Sequence, residues 1–166
     1  MLIIIMIIIG LIGIGIGVCV GRRNRSINKY KEIIKELKSK YEVEIKDVER
    51  ISTGNDMRDY VLNQMEVVYH EGKIYVKESF IKKLDSGRLD KKYKRLNEME
   101  NMDKETLFKF IMLHEIKHHQ QHNGDDNFRQ KLSKRNALER KGLEYSKLPL
   151  EKEADQFALK EIKEVL

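Results

Sequence analysis

Two histidines four residues apart, His114 and His118, place the strongest constraint on what this chain can fold into. In an α-helix, residues four apart lie one turn above each other, so both imidazoles point the same way and can share one small cation. Glu115 is rotated about 100° from His114, where its carboxylate can reach a metal-bound water without ligating the metal. The pattern predicts a metal site with its own general base on one helix.

The residues around this motif predict a helix of about twenty residues. Asp103 precedes it as a good N-cap, and Asn123 with Gly124 supplies a stop signal after His122. Apolar residues recur inside the segment at helical spacing, at Leu107, Phe108, Ile111 and Leu113. The motif therefore falls on the last turns of one amphipathic helix.

A catalytic zinc site takes three protein ligands and leaves the fourth position to water, so a third ligand must come from elsewhere. His119 points about 100° away from the second motif histidine, and His122 lies too far along the helix axis to close a tetrahedron. Glu151 is the stronger candidate, because Pro149 starts a second predicted helix whose buried stripe is flanked by Glu151 and Asp155. One of these carboxylates can bind the metal while the other accepts the free ring N–H of a ligand histidine.

The pattern H-E-x-x-H at 114–118 together with E-x-x-A-D at 151–155 resembles the gluzincin metallopeptidases, zinc peptidases whose third ligand is a glutamate on a following helix. The second motif is similar to that of membrane-bound prenyl-protein and heat-shock endopeptidases, and to that of small phage-repressor-cleaving peptidases. The resemblance is confined to the part of the chain from the first of these helices to the C-terminus. It predicts a zincin-like domain.

The resemblance implies a role for each motif residue: His114, His118 and Glu151 as zinc ligands, Glu115 as general base, and Asp155 as a support for the ligands from outside the coordination sphere. The activity that it implies is hydrolysis of peptide bonds in a protein or peptide substrate. Zinc lowers the pKa of its bound water toward about 7, and Glu115 takes the proton as the water attacks and can return it to the leaving amine. The group that stabilises the oxyanion is left open among His119, Arg135, Arg140 and Tyr145.

Two other classes of function fit parts of the same sequence. A catalytically inactive relative would keep the metal ligands as a binding module, and a basic membrane-tethered interaction protein would carry the motif by accident. Carboxylates four apart are common on helices of a chain in which 36% of the residues are charged. Glu115 favours the enzyme, since a pure binding module needs no base at that position.

Residues 2–20 form an uncharged apolar run that is long enough to span a bilayer as a helix. Basic residues follow the run at 22–25, and it lacks the features of a cleaved signal peptide. We therefore expect a transmembrane anchor over residues 1–21 and a single-pass membrane protein, and the positive-inside rule predicts that its catalytic domain is cytoplasmic. Three glycines recur on one face of this segment and allow a homodimer through it: Gly13, Gly17 and Gly21.

Behind this anchor, the sequence predicts an amphipathic juxtamembrane helix over 22–40 and one α+β domain over 41–166, with a short sheet beside the active-site helices. Alternation at Tyr41, Val43 and Ile45 is typical of a half-buried strand. Two further strand-like runs predict a hairpin over 67–77, which could offer its edge to an extended substrate.

Composition narrows the partners and cofactors. The single cysteine excludes an intramolecular disulfide and a cysteine-based zinc site. The net charge of +6 raises nucleic acid as a partner, but basic and acidic residues are interspersed along most of the chain. A basic cluster occurs only at 88–95, so the sequence argues against nucleic-acid binding.

Overall fold

The structure, a computed structural model, describes residues 27–52, 54, 56–88, 102–124, 126–144 and 147–164 of the chain. These residues form six helices and three strands. In chain order the elements are α1 (27–41), β1 (Glu44–Val48), α2 (Asp56–Leu62), β2 (Val67–His70), β3 (Lys73–Lys77), α3 (Glu78–Ser86), α4 (Lys104–Gly124), α5 (Phe128–Arg140) and α6 (Pro149–Lys163).

The sheet has the order β1-β3-β2, with β3 parallel to β1 and antiparallel to β2. The turn between β2 and β3 consists of Glu71 and Gly72, whose φ angles are 48° and 82°. Positive φ at both central residues gives a two-residue turn the twist that neighbouring strands require, and glycine adopts it without strain. The hairpin predicted over 67–77 is therefore present, and β2 is an edge of the described sheet.

The strand that the alternation predicted from Tyr41 begins later, at Glu44. Tyr41 instead ends α1, where its ring packs edge-on against Phe157 and its hydroxyl donates a hydrogen bond to Glu161. Glu42 then takes a positive φ of 52°, which stops the helix. Contacts with α6 override the local alternation at this boundary.

α4 begins at the predicted N-cap. The carboxylate of Asp103 accepts the backbone N–H of Thr106 at 2.7 Å, and this hydrogen bond holds the pKa of Asp103 below its usual value. The helix continues for 21 residues to Gly124, which agrees with the stop signal in the sequence.

α4 is also the centre of the hydrophobic core. It contacts α3, α6, β2 and β3, and Phe108 packs against Tyr30 of α1 with ring centroids 4.9 Å apart. Its buried apolar side chains are Leu107, Phe108, Phe110, Ile111, Met112, Leu113 and Ile116. Because apolar residues are buried on several faces of this helix, its position relative to the other elements is strongly constrained.

α6 begins at Pro149, as predicted, and lies against α4. Its buried face consists of Leu150, Glu151, Ala154, Ala158 and Ile162. A glutamate therefore lies in the same buried stripe as four apolar residues, and burial of a carboxylate requires partners.

The structure is α+β, as expected, but the prediction of a single-pass membrane protein is wrong for the fold that is described. In the described ranges, no helix combines the length and the apolar character needed to cross a membrane. The 21-residue α4 is long enough, but Lys109, Glu115 and Lys117 interrupt its apolar surface. The predicted anchor at residues 1–21, with its three glycines, lies outside the described residues. The fold class is corrected to a mostly helical α+β domain with a three-stranded sheet.

Because α4 lies in the core, we expect that shortening one of its buried side chains lowers the free energy of unfolding. Leu107 is fully buried, so Leu107→Ala should lower the free energy of unfolding by about 2–5 kcal/mol. Leu132 on α5 is 37% exposed, so Leu132→Ala should change the free energy of unfolding by less than about 1 kcal/mol. Urea unfolding followed by circular dichroism measures both. Equal effects of the two substitutions would contradict the burial of α4.

Candidate metal centre

The packing of α6 against α4 brings three potential ligand atoms together. Nε2 of His114 lies 3.1 Å from Nε2 of His118, and Oε2 of Glu151 lies 3.3 Å from each of them. His114 and Glu151 are buried, with 6% and 2% of their surfaces exposed, and His118 is partly buried. These three side chains form a group that can hold a metal ion.

The spacing of the two histidines produces half of this arrangement. Residues four apart on α4 place the rings of His114 and His118 on one face, with centroids 4.7 Å apart and planes at 85°. Glu151 completes the group from the first turn of α6. Thirty-three positions separate it from His118 along the chain, so only tertiary packing brings the two together.

Asp155 contacts the other nitrogen of His114. Its Oδ1 lies 2.8 Å from Nδ1 of His114, and a carboxylate can only accept a hydrogen bond, so we assign a proton to Nδ1. In the absence of a metal, burial lowers the pKa of His114, but hydrogen bonds to Asp155 and Glu151 outweigh it and raise the pKa to about 9. A metal ion bound at Nε2 takes the place of the second ring proton.

Glu151 is held by a cation from α5. Nε of Arg135 donates to Oε1 of Glu151 at 3.0 Å, while Oε2 faces the two histidines. The sequence offered Arg135 as a candidate for stabilising an oxyanion, whereas the structure places its Nε on Glu151. Because one carboxylate oxygen is occupied in this way, Glu151 presents a single oxygen to the histidines.

Gln121 is the residue of this site that sequence reasoning missed. Its side chain is buried, with 6% of its surface exposed, and its Oε1 lies 2.9 Å from Nδ1 of His118. It follows His118 by three positions on α4, so helical spacing alone would have placed it within reach of that ring. A polar side chain at helical spacing from a motif histidine was the available signal.

Glu115 is positioned by the sheet. Its Oε2 accepts the backbone N–H of Tyr69, on the edge strand β2, at 2.9 Å. The carboxylate of Glu115 therefore bridges α4 and the edge of the hairpin.

The other histidines of α4 pack against the ring of Tyr69 and are not members of the three-residue group. The hydroxyl of Tyr69 lies 2.6 Å from Nδ1 of His122, and its ring centroid lies 5.7 Å from that of His119. Arg140, at the end of α5, is exposed. Tyr145 lies outside the described residues.

In comparisons with known proteins, no family model, curated protein or solved structure matches this chain. Functional inference therefore depends on the residues of the chain itself.

Removing a ligand should remove the metal. We expect His118→Ala and Glu151→Ala to reduce bound metal from about one ion per chain to near zero, because two remaining ligands hold a divalent ion weakly. His122→Ala is the matched control, since it removes a histidine of the same helix that contacts Tyr69 instead. Metal content after gel filtration, measured by mass spectrometry, tests this. Full retention of metal by Glu151→Ala would contradict the site.

The raised pKa of His114 predicts how metal affinity depends on pH. Below its pKa of about 9, a metal ion must displace a proton from the ring, so the affinity should rise with pH. Deprotonation of His114 alone raises the metal affinity by up to about tenfold per pH unit, and this increase levels off above the pKa of His114. Competition with a chromophoric chelator between about pH 6.5 and 8.5 measures the slope. An affinity that does not change with pH over this range would argue against His114 as a ligand.

Proposed function

We propose that this protein is a zinc-dependent endopeptidase of the gluzincin type, which hydrolyses peptide bonds in a protein or peptide substrate. The observation that carries the proposal is the convergence of two imidazole nitrogens and one carboxylate oxygen, with Glu115 directly after the first ligand histidine. Two histidines and one glutamate, with the fourth position left to water, are a ligand set of catalytic zinc sites.

The distances between the donor atoms support zinc. In a tetrahedral site with metal–ligand distances of about 2.0–2.1 Å, neighbouring ligand atoms lie about 3.3 Å apart. The three pairs formed by His114, His118 and Glu151 are separated by 3.1, 3.3 and 3.3 Å. The side chains therefore need little movement to bind the ion, so little ordering cost opposes binding.

Glu115 acts as the general base in this proposal. Zinc, when bound, would lower the pKa of a water molecule and polarise the carbonyl group of the peptide bond. The carboxylate of Glu115 accepts a proton from the attacking water as the new C–O bond forms. It then donates that proton to the amide nitrogen as the C–N bond breaks, so the products are a carboxylic acid and an amine.

Tyr69 orients this base. Its backbone N–H donates to Oε2 of Glu115, which fixes the carboxylate between α4 and the edge of β2. An edge strand also offers backbone groups with which an extended peptide can pair, so the position of β2 supports a peptide substrate. Because the N–H of Tyr69 is already bonded to Glu115, such a peptide would pair with other backbone groups of this edge.

Replacing the base should abolish turnover without removing the metal. We expect Glu115→Gln to lower the rate of cleavage of an unstructured, fluorescently labelled protein by about 10²- to 10⁴-fold, while the zinc content stays at the wild-type level. Glu153→Gln is the control, since Glu153 is an exposed residue of α6 paired with Lys117. Proteolysis by Glu115→Gln at the wild-type rate would refute the mechanism, and a wild-type protein that binds zinc without cleaving would be a metal-binding module.

A further inference from the structure

A buried amide connects the two helices that carry the metal ligands. Gln121 of α4 contacts the ring of His118 through Oε1, at 2.9 Å, and the backbone oxygen of Leu150 on α6 through Nε2, at 3.3 Å. We propose that Gln121 is a positioning residue of the metal centre, which sets the tautomer of His118 and ties its ring to the helix of Glu151. This inference rests on the proposed zinc function of the site.

The orientation of the Gln121 amide follows from its partner on α6. The backbone carbonyl of Leu150 can only accept a hydrogen bond, so the amide group that faces it must be the NH₂. The carbonyl Oε1 of Gln121 then faces Nδ1 of His118. An acceptor at this position requires a proton on Nδ1.

The tautomer of His118 determines what its other nitrogen can do. A neutral imidazole carries one N–H, so a proton on Nδ1 leaves the lone pair of Nε2 free. That lone pair lies 3.1 Å from Nε2 of His114 and 3.3 Å from the carboxylate of Glu151. Asp155 holds a proton on Nδ1 of His114 in the same way, so Nε2 of His114 is the atom of that ring that would meet a cation, together with Nε2 of His118 and Oε2 of Glu151.

Gln121 also fixes the distance between the two ligand-bearing helices. Leu150 directly precedes Glu151 in the first turn of α6, so the hydrogen bond from Gln121 holds the helix at the turn that supplies the third ligand. Both polar groups of the amide are engaged at 6% exposure. A residue selected only to fill this space would be apolar, since a buried amide costs stability unless both groups are bonded.

Three variants separate orientation of His118 from packing. Gln121→Leu keeps a similar volume but leaves Nδ1 of His118 and the carbonyl of Leu150 without their partner, so zinc affinity should fall about 10- to 100-fold. Gln121→Glu restores an acceptor for Nδ1 and should recover most of that affinity, although it loses the donor to Leu150. Gln120→Leu, at an exposed neighbouring position, should leave affinity unchanged.

Three quantities are measured for each full-length variant. They are the zinc affinity by chelator competition, the visible absorption spectrum of the cobalt-substituted protein, and the unfolding midpoint of the metal-free protein. Rescue of affinity and of the cobalt spectrum by Gln121→Glu, but not by Gln121→Leu, supports the proposal. Wild-type affinity in Gln121→Leu overturns it. Equal losses of affinity in both variants, in parallel with equal losses of metal-free stability, also overturn it and leave a packing role. If the affinities follow this pattern while the wild-type protein cleaves no substrate, the positioning role stands and the peptidase proposal fails.

Discussion

The contact between α4 and α6 is the interaction on which the site depends, because it places a glutamate of one helix against two histidines of the other. Small side chains permit this contact. Ala154 and Ala158, both fully buried, lie one and two turns beyond Glu151 on the same face of α6. The distance between packed helices depends on the side chains at their contact, and alanines allow a close approach. The apolar core thus sets the separation of the ligand atoms.

The same contact creates an electrostatic problem, since it buries two imidazoles and a carboxylate together. In each of the three, the nitrogen or oxygen that does not face the other two has a polar partner. Asp155 contacts Nδ1 of His114, Gln121 contacts Nδ1 of His118, and Arg135 contacts Oε1 of Glu151. Buried polar groups that lack such partners are costly, whereas a fully bonded network holds its members in one geometry. Arg135 comes from α5, a helix with no buried residue, so a peripheral element contributes to the interior through one charged side chain.

The sheet also contributes to the surroundings of the site. The edge strand β2 donates a backbone N–H to Glu115 and places the ring of Tyr69 against His119 and His122. The two motif histidines and Glu115 therefore lie on one helix but have different partners: the histidines contact Asp155 and Gln121, and Glu115 contacts the hairpin. The contact that holds the carboxylate of Glu115 is therefore separate from the contacts that hold His114, His118 and Glu151.

Local patterns were sufficient to predict what depends on neighbouring residues. Helical period aligned His114 with His118. Asp103 and Pro149 marked the starts of α4 and α6, and two strand-like runs predicted the hairpin over 67–77. The helix α3 was not predicted. The sequence also assigned Tyr41 to the strand, whereas contacts with Phe157 and Glu161 of α6 hold it at the end of α1.

Spacing alone left open which carboxylate of α6 would face the Nε2 atoms of the two motif histidines, and which would accept a hydrogen bond from the other nitrogen of a histidine ring. Only the packing of α6 on α4 placed Glu151 with both Nε2 atoms and Asp155 with Nδ1 of His114. The contacts of Arg135 with Glu151 and of Tyr69 with Glu115 likewise emerged from the tertiary structure, whereas Gln121 lies on α4 itself at helical spacing from His118. The physical reason is that periodicity relates residues within one helix, whereas the meeting of residues 33 or 46 positions apart is decided by how the core packs.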